Sequence, residues 1–164
     1  MRDSDWKYVA EIYQQGIDSG IATFTAICPS FEEWDRSHHR NCRFVYEQDG
    51  KVVAWIAVSP TSSREVYSGS VEMSLYVDYA YQRKGIGSKL MDVAEQIAGQ
   101  YADTVWLGVG LHNGYGSAQR MYCKRGYIPD GTGVWYQGKP CEQYETGIAN
   151  DDDRILFLSK QLNQ

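Results

Sequence analysis

No apolar run in this 164-residue chain approaches the ~20 residues that a bilayer-spanning helix needs. The opening "MRDSDWKYVA" has no apolar core of a secretory signal. A cytoplasmic protein with no membrane partner is therefore expected. Positive charge is scarce too: 16 Lys and Arg stand against 21 Asp and Glu, the formal net charge is −5, and there is no basic tail. Nucleic-acid binding by counterion release has little to draw on, so no nucleic-acid partner is expected. The four cysteines, Cys28, Cys42, Cys123 and Cys141, contain no Cys-x-x-Cys pair, and His38, His39 and His112 complete no zinc ligand set. Free thiols and no metal are expected. Repeats, low-complexity segments and linkers are missing as well, which leaves one domain over 1–164. Aromatics, by contrast, are plentiful, with 13 Tyr and 5 Trp, more than a soluble core of this size needs.

The pattern of apolar residues supplies the elements. "DSDWKYVAEIYQQGIDSG" places Trp6, Val9, Ala10 and Tyr13 at helical spacing, then Ile17 before a glycine. In "SFEEWDRSHHR", Ser30 stands three residues before Glu33, a capping box that predicts a short second helix. Two β-rich runs, Arg43 to Tyr46 and Lys51 to Ser59, flank Gln-Asp-Gly and read as a hairpin. In "SVEMSLYVD", Val71, Met73, Leu75 and Val77 alternate with Glu72, Ser74 and Tyr76, a long strand. A helix carrying Ile86, Leu90, Val93, Ala94 and Ile97 comes next, then the strand "DTVWLGVGL", a short helix in "GYGSAQRMYCKRGY", and two closing strands around a polar loop. The order α-α-β-β-β-α-β-α-β-β describes a mixed α/β domain with helices crossing between neighbouring strands.

The chemistry concentrates in "QRKGIGSKL", between the long strand and the helix it opens. A P-loop requires Gly-Lys-Ser/Thr after its four-residue spacer, but here Ser88 precedes Lys89. A dinucleotide fingerprint requires a third glycine where this chain has Leu90. What remains is Gln82-Arg83-Lys84-Gly85-Ile86-Gly87 at a helix start. Backbone N–H groups there, helped by the helix dipole, bind a pyrophosphate, and bulk at Gly85 or Gly87 obstructs its approach. On the hexapeptide alone, a turn that merely starts a helix serves equally well.

Context separates the two. The pattern Gln/Arg-x-x-Gly-x-Gly/Ala after a strand resembles the coenzyme A pyrophosphate loop of the GNAT superfamily of N-acetyltransferases. "SAQRMYCKRGY" is similar to that family's Ala-x-x-x-Tyr-x-x-x-Gly-Phe/Tyr motif, and the order of elements agrees over nearly the whole chain. "EIYQQGIDSGIATFT", "VVAWIAVSP" and "VEMSLYVDYAYQRKGIG" look more particularly like the phosphinothricin or methionine-sulfoximine acetyltransferase branch, whose usual ending the C-terminal half does not share.

The resemblance implies a mostly antiparallel central sheet flanked by helices and splayed between the family's fourth and fifth strands. It implies acetyl-CoA as cosubstrate and direct attack by a primary amine in a ternary complex. Carried onto this chain, Gln82, Arg83, Lys84, Gly85, Ile86, Gly87 and Ser88 would hold the cofactor's pyrophosphate, and the main chain of Leu75, Tyr76 and Val77 its pantetheine. Asn113, Ser117 and Tyr122 would complete the cofactor site. Glu72 stands where a strand carboxylate often acts as base, with a strand-end salt bridge as its simpler role and His112 as its rival. Tyr122 matches the tyrosine that protonates the departing thiolate, and core packing is its simpler role. Where the family often has a cofactor-contacting Asn, this chain has Tyr115, with Asn113 two places earlier. "MRDSDW" also leaves almost nothing for the family's first strand.

The acceptor is less legible. Phe24, Glu72 and Tyr76 are candidate substrate contacts, among further aromatics (Tyr8, Tyr13, Trp34, Trp135, Tyr136) that serve a core as readily. The branch resemblance implies a small-molecule amine resembling an amino acid. An acyl-CoA-sensing domain that transfers nothing, or an enzyme acting on a protein amine, remains the alternative, and homodimers are common in the family.

Overall fold

The computed structural model describes residues 1–20, 25–60, 71–100 and 102–162, with the side chains of Val71 and Glu72 outside that description. Contacts divide the chain into two compact units, Met1–Ala94 and Glu95–Gln164.

In the first unit, α1 (Trp6–Asp18) buries Val9, Ile12 and Gly16, a stripe at helical spacing. The short α2 (Phe31–Ser37) begins with the predicted capping box: Ser30 Oγ accepts from the Glu33 N–H at 3.3 Å, and the Glu33 carboxylate accepts the Ser30 N–H at 2.9 Å. β1 (Arg43–Gln48) and β2 (Lys51–Pro60) form the expected antiparallel hairpin. Positive φ at both Asp49 (53°) and Gly50 (75°) gives a two-residue turn whose twist suits the strands. β3 (Val71–Val77) pairs antiparallel with the other edge of β2, in the order β1-β2-β3. Because β2 is central, Val52 through Ala57 are buried without alternation, which explains the unbroken apolar run "VVAWIA". The core joins Val9 and Ile12 of α1, Trp34 of α2 and Val52, Trp55 and Ala57 of β2. α3 (Ile86–Ala98) comes after the cradle segment and buries Ile86, Leu90 and Met91.

The second unit holds β4 (Thr104–Gly110), α4 (Gly116–Lys124), β5 (Ile128–Tyr136), β6 (Lys139–Pro140) and β7 (Arg154–Gln161). Its sheet runs β4-β7-β5-β6, with every ladder antiparallel. Two sequence expectations change here. α4 connects β4 to β5, which are not neighbours because β7 lies between them, so it is no crossover between adjacent strands. The expected two closing strands are three, since Gln137 (φ 48°) and Gly138 (φ 75°) turn the chain back into the short β6. Among the described residues no strand precedes α1, as expected, no helix is long and apolar enough to cross a membrane, and no His/Cys/Asp/Glu group could hold a metal ion.

Candidate functional site

The predicted cofactor residues of the first unit lie on one continuous path. β3 is an edge strand in its sheet, so alternate N–H and C=O groups of Leu75, Tyr76 and Val77 are not used by β2. The Tyr76 ring is committed to packing: it stacks on Trp55 at 4.8 Å and meets Tyr13 edge-on at 5.1 Å. Its candidacy as a substrate wall therefore competes with a core role, while its main chain keeps the place expected for a pantetheine contact. Glu72 pairs in the β3 backbone with Ser59; its side chain and the whole of Phe24 lie outside the described residues.

After β3, Asp78 caps a 3-10 turn (Tyr79–Tyr81), its Oδ1 accepting the Ala80 N–H at 2.9 Å. Gln82 closes the turn and donates Nε2–H to the Val77 carbonyl at 3.2 Å. The chain then takes left-handed backbone at Arg83 (φ 60°) and Gly85 (φ 79°) before α3 begins at Ile86. Arg83, Lys84 and Gly85 are exposed, and a Cβ on Gly85 would meet nothing within 4 Å. Gly87 and Ser88 lie in the first turn of α3, whose leading N–H groups have no intrahelical acceptor. A left-handed approach, open space over glycine and a helix start fit the polyanionic head of a nucleotide. Lys84 lies over the Tyr81 ring, its Nζ 4.7 Å from the ring centre.

In the second unit the predicted residues cluster around α4. Tyr122 is largely buried, 5.8 Å from the Tyr127 ring, and burial pushes its phenol pKa above the ordinary value. Among the described residues no group hydrogen-bonds to its hydroxyl. Ser117 is exposed in the first turn of α4, and Asn113 is exposed in the preceding 3-10 turn (Asn113–Tyr115).

His112 caps that turn. Its Nδ1 accepts the Gly114 N–H at 3.1 Å, so the ring proton belongs on Nε2, which faces Asp152 Oδ1 at 2.6 Å. Neither nitrogen keeps a spare lone pair. Tyr115 also bonds Asp152 through its hydroxyl, and burial, with that carboxylate's charge second, raises its pKa. Its ring rests against Gly110 and meets His112 edge-on at 4.8 Å.

Sequence reasoning missed Asp152, the shared acceptor of His112 and Tyr115, and Asp78, Gln15 and Tyr79, which anchor the approach to the cradle. Asp78 could have been found, since an Asp two residues before an N–H it caps is a local signal. The other partners are long-range and leave no periodicity.

Comparisons with known proteins converge. The model of the acetyltransferase (GNAT) family matches residues 6–127. A Bacillus subtilis (strain 168) protein provisionally named phosphinothricin acetyltransferase is 34% identical over 100 residues, covering 57% of this chain and 61% of that protein, under two thirds of its length. Phosphinothricin N-acetyltransferase of Streptomyces viridochromogenes is 27% identical over 134 residues, covering 79% of this chain and 72% of that protein. The fold is similar to the crystal structure of a phosphinothricin acetyltransferase from Sinorhizobium meliloti in complex with acetyl-CoA, with a TM-score of 0.71 and 18% identity, covering 98% of this chain and 85% of the other.

Proposed function

Because the chain belongs to the acetyltransferase (GNAT) family, we infer that it acts as one domain over 1–164 that transfers the acetyl group of acetyl-CoA to a primary amine of a small molecule. The observation that carries this reading is the left-handed, open loop at Arg83 and Gly85 running into α3. Residues Gln82 to Ser88 hold the pyrophosphate through main-chain N–H groups, with Arg83 and Lys84 adding charge. The main chain of the edge strand β3 at Leu75–Val77 receives the pantetheine amides, and Asn113 and Ser117 are further cofactor contacts.

The thioester supplies the electrophile: the amine lone pair forms the N–C bond, the C–S bond breaks, the thiolate takes a proton, and the nitrogen, cationic after attack, releases one proton to solvent, from which the proton donor is recharged. Tyr122 donates that proton. A phenol is protonated at neutral pH, burial favours that form further, and no described residue hydrogen-bonds to the hydroxyl. Glu72 takes a proton from the ammonium, whose unperturbed pKa is near ~10. His112 is the less available proton acceptor, because the hydrogen bonds to Gly114 and Asp152 occupy both ring nitrogens. Names of relatives support an amino-acid-like amine, phosphinothricin above all, as acceptor.

Thiol release from acetyl-CoA against phosphinothricin, methionine sulfoximine, methionine sulfone and a panel of other amines tests the reading. Release with one amine is expected. Tyr122→Phe should then lower kcat by about 100-fold while the acetyl-CoA dissociation constant stays put; unchanged turnover would return Tyr122 to packing. The sensing alternative draws on one observation, the commitment of Tyr115 to Asp152 where a cofactor contact is usual. Acetyl-CoA binding without release from any amine, small or peptidic, would favour it.

A further inference from the structure

We propose that Gln15 and Tyr79 form a reciprocal clamp that positions the cradle for the pyrophosphate, so that the α1 helix sets acetyl-CoA affinity without touching the cofactor. The clamp's role rests on the proposed binding of that cofactor at Gln82 to Ser88. Gln15 lies in the last turn of α1, beside the buried stripe of Val9, Ile12 and Gly16. Its Oε1 accepts the Tyr79 N–H at 3.0 Å, and the Tyr79 hydroxyl donates back to the Gln15 carbonyl at 2.5 Å. Side chain meets main chain in both directions across 64 positions of sequence. At longer reach, Gln15 Nε2 donates to Asp78 Oδ2 at 3.5 Å, and Lys51 Nζ approaches the same oxygen at 3.5 Å.

The clamp draws its meaning from its place in the chain. From Tyr79 to Gly85, every other hydrogen bond among the described residues is local: Tyr81 N–H to Asp78, Ala80 N–H to the Asp78 carboxylate, Gln82 to Tyr79 and Val77, and Lys89 N–H to the Gly85 carbonyl. The clamp is thus the last long-range tie before Arg83 and Gly85 turn into left-handed backbone. A loop that must present several N–H groups at once loses affinity when its entry point drifts, because ordering it is then charged to binding.

A purely stabilising role explains the clamp less well. Tyr79 is 52% exposed, so its ring adds little burial, and its hydroxyl is spent on a carbonyl that already accepts the Ser19 N–H at 3.1 Å. Removing that hydroxyl uncovers no core.

The experiment compares wild type with Tyr79→Phe, Gln15→Glu and the swapped pair Gln15→Glu/Asp78→Asn. It measures the acetyl-CoA dissociation constant by calorimetry, KM and kcat with an active amine, and Tm. Tyr79→Phe should raise the acetyl-CoA dissociation constant and KM by roughly five- to tenfold, the worth of one ordinary hydrogen bond. The kcat at saturating acetyl-CoA and the KM of the amine should hold. Gln15→Glu should do the same, by setting a second carboxylate beside Asp78, and the swapped pair should recover at least half of the loss on a logarithmic scale. A lowered Tm with acetyl-CoA affinity unchanged would make the clamp structural only and overturn the proposal. Wild-type protein that binds no acetyl-CoA at all would instead remove the cofactor reading, and the clamp's function with it.

Discussion

The two units are held together by different means. In Met1–Ala94 the core is apolar and aromatic: Trp34 and Trp55 are fully buried and edge-on to each other at 5.8 Å, with Val9, Ile12, Val52 and Ala57 around them. In Glu95–Gln164 only Val109, Tyr127 and Leu158 are buried apolar residues among those described. Two carboxylates take over as organising centres. Glu95 on α3 accepts from Arg125 Nε at 2.8 Å and Lys160 Nζ at 2.6 Å, and its charge and hydrogen bond, after burial, push the Tyr127 pKa up. Asp152 gathers His112 and Tyr115 ahead of α4. One unit therefore relies on area removed from water and the other on ion pairs that hold only while a carboxylate stays charged.

The sharpest test of the contrast is Trp55→Ala. Truncating a buried tryptophan should destabilise the first unit by about 3–5 kcal/mol, read from denaturant unfolding, because its ring also supports Tyr76 and Tyr13. Glu95→Gln comes next, at about 3 kcal/mol, since two cations with 10% and 23% side-chain exposure lose the carboxylate they share. Only the second mutation should alter the acid limb of stability. Burial raises the Glu95 pKa, but the bonds from Arg125 and Lys160 outweigh it and hold the pKa below its ordinary 4.5. Its contribution is complete above that value and is lost as pH falls through the lower, folded one. Glu95→Gln should flatten that part of the profile. Asp35 of the first unit is likewise held low by Arg43, 7% exposed, and by Arg40, 76% exposed, so of its two ion pairs only the one with Arg43 is comparable to those of Glu95. An acid limb unchanged in Glu95→Gln would erase the distinction between the units.

What is legible in the sequence is local. The Ser30–Glu33 box and the turn at Gln-Asp-Gly each depend on residues within a few positions, and each forms where the pattern places it. The Gln15–Tyr79 clamp joins positions 64 apart, and the His112–Asp152 contact positions 40 apart. Such partners are chosen by tertiary packing, and a polar residue on a helix flank looks the same whether it meets water or a loop. The acidic stretch "NDDDR" carries no local sign of a partner, yet its middle aspartate pairs with His112. The Gln137-Gly138 turn escapes a sequence reading because Gln is an uncommon residue for positive φ.

The smallest effects separate the units at the level of single glycines. Gly85→Ala adds a methyl group in open space, so its penalty is only the left-handed backbone at φ 79°, about 1 kcal/mol, and nothing elsewhere should modify it. Gly110→Ala places its methyl against the ring of Tyr115, and the ring cannot swing away without releasing Asp152. About 2 kcal/mol is expected there, from overpacking. Because that loss comes from a collision with a tethered side chain, Tyr115→Ala should cancel most of it in a double-mutant cycle, measured by thermal unfolding of the four proteins. Additivity at Gly110 would mean that Tyr115 is free to move, and that the Asp152 centre is too weak to organise the second unit as Trp55 organises the first.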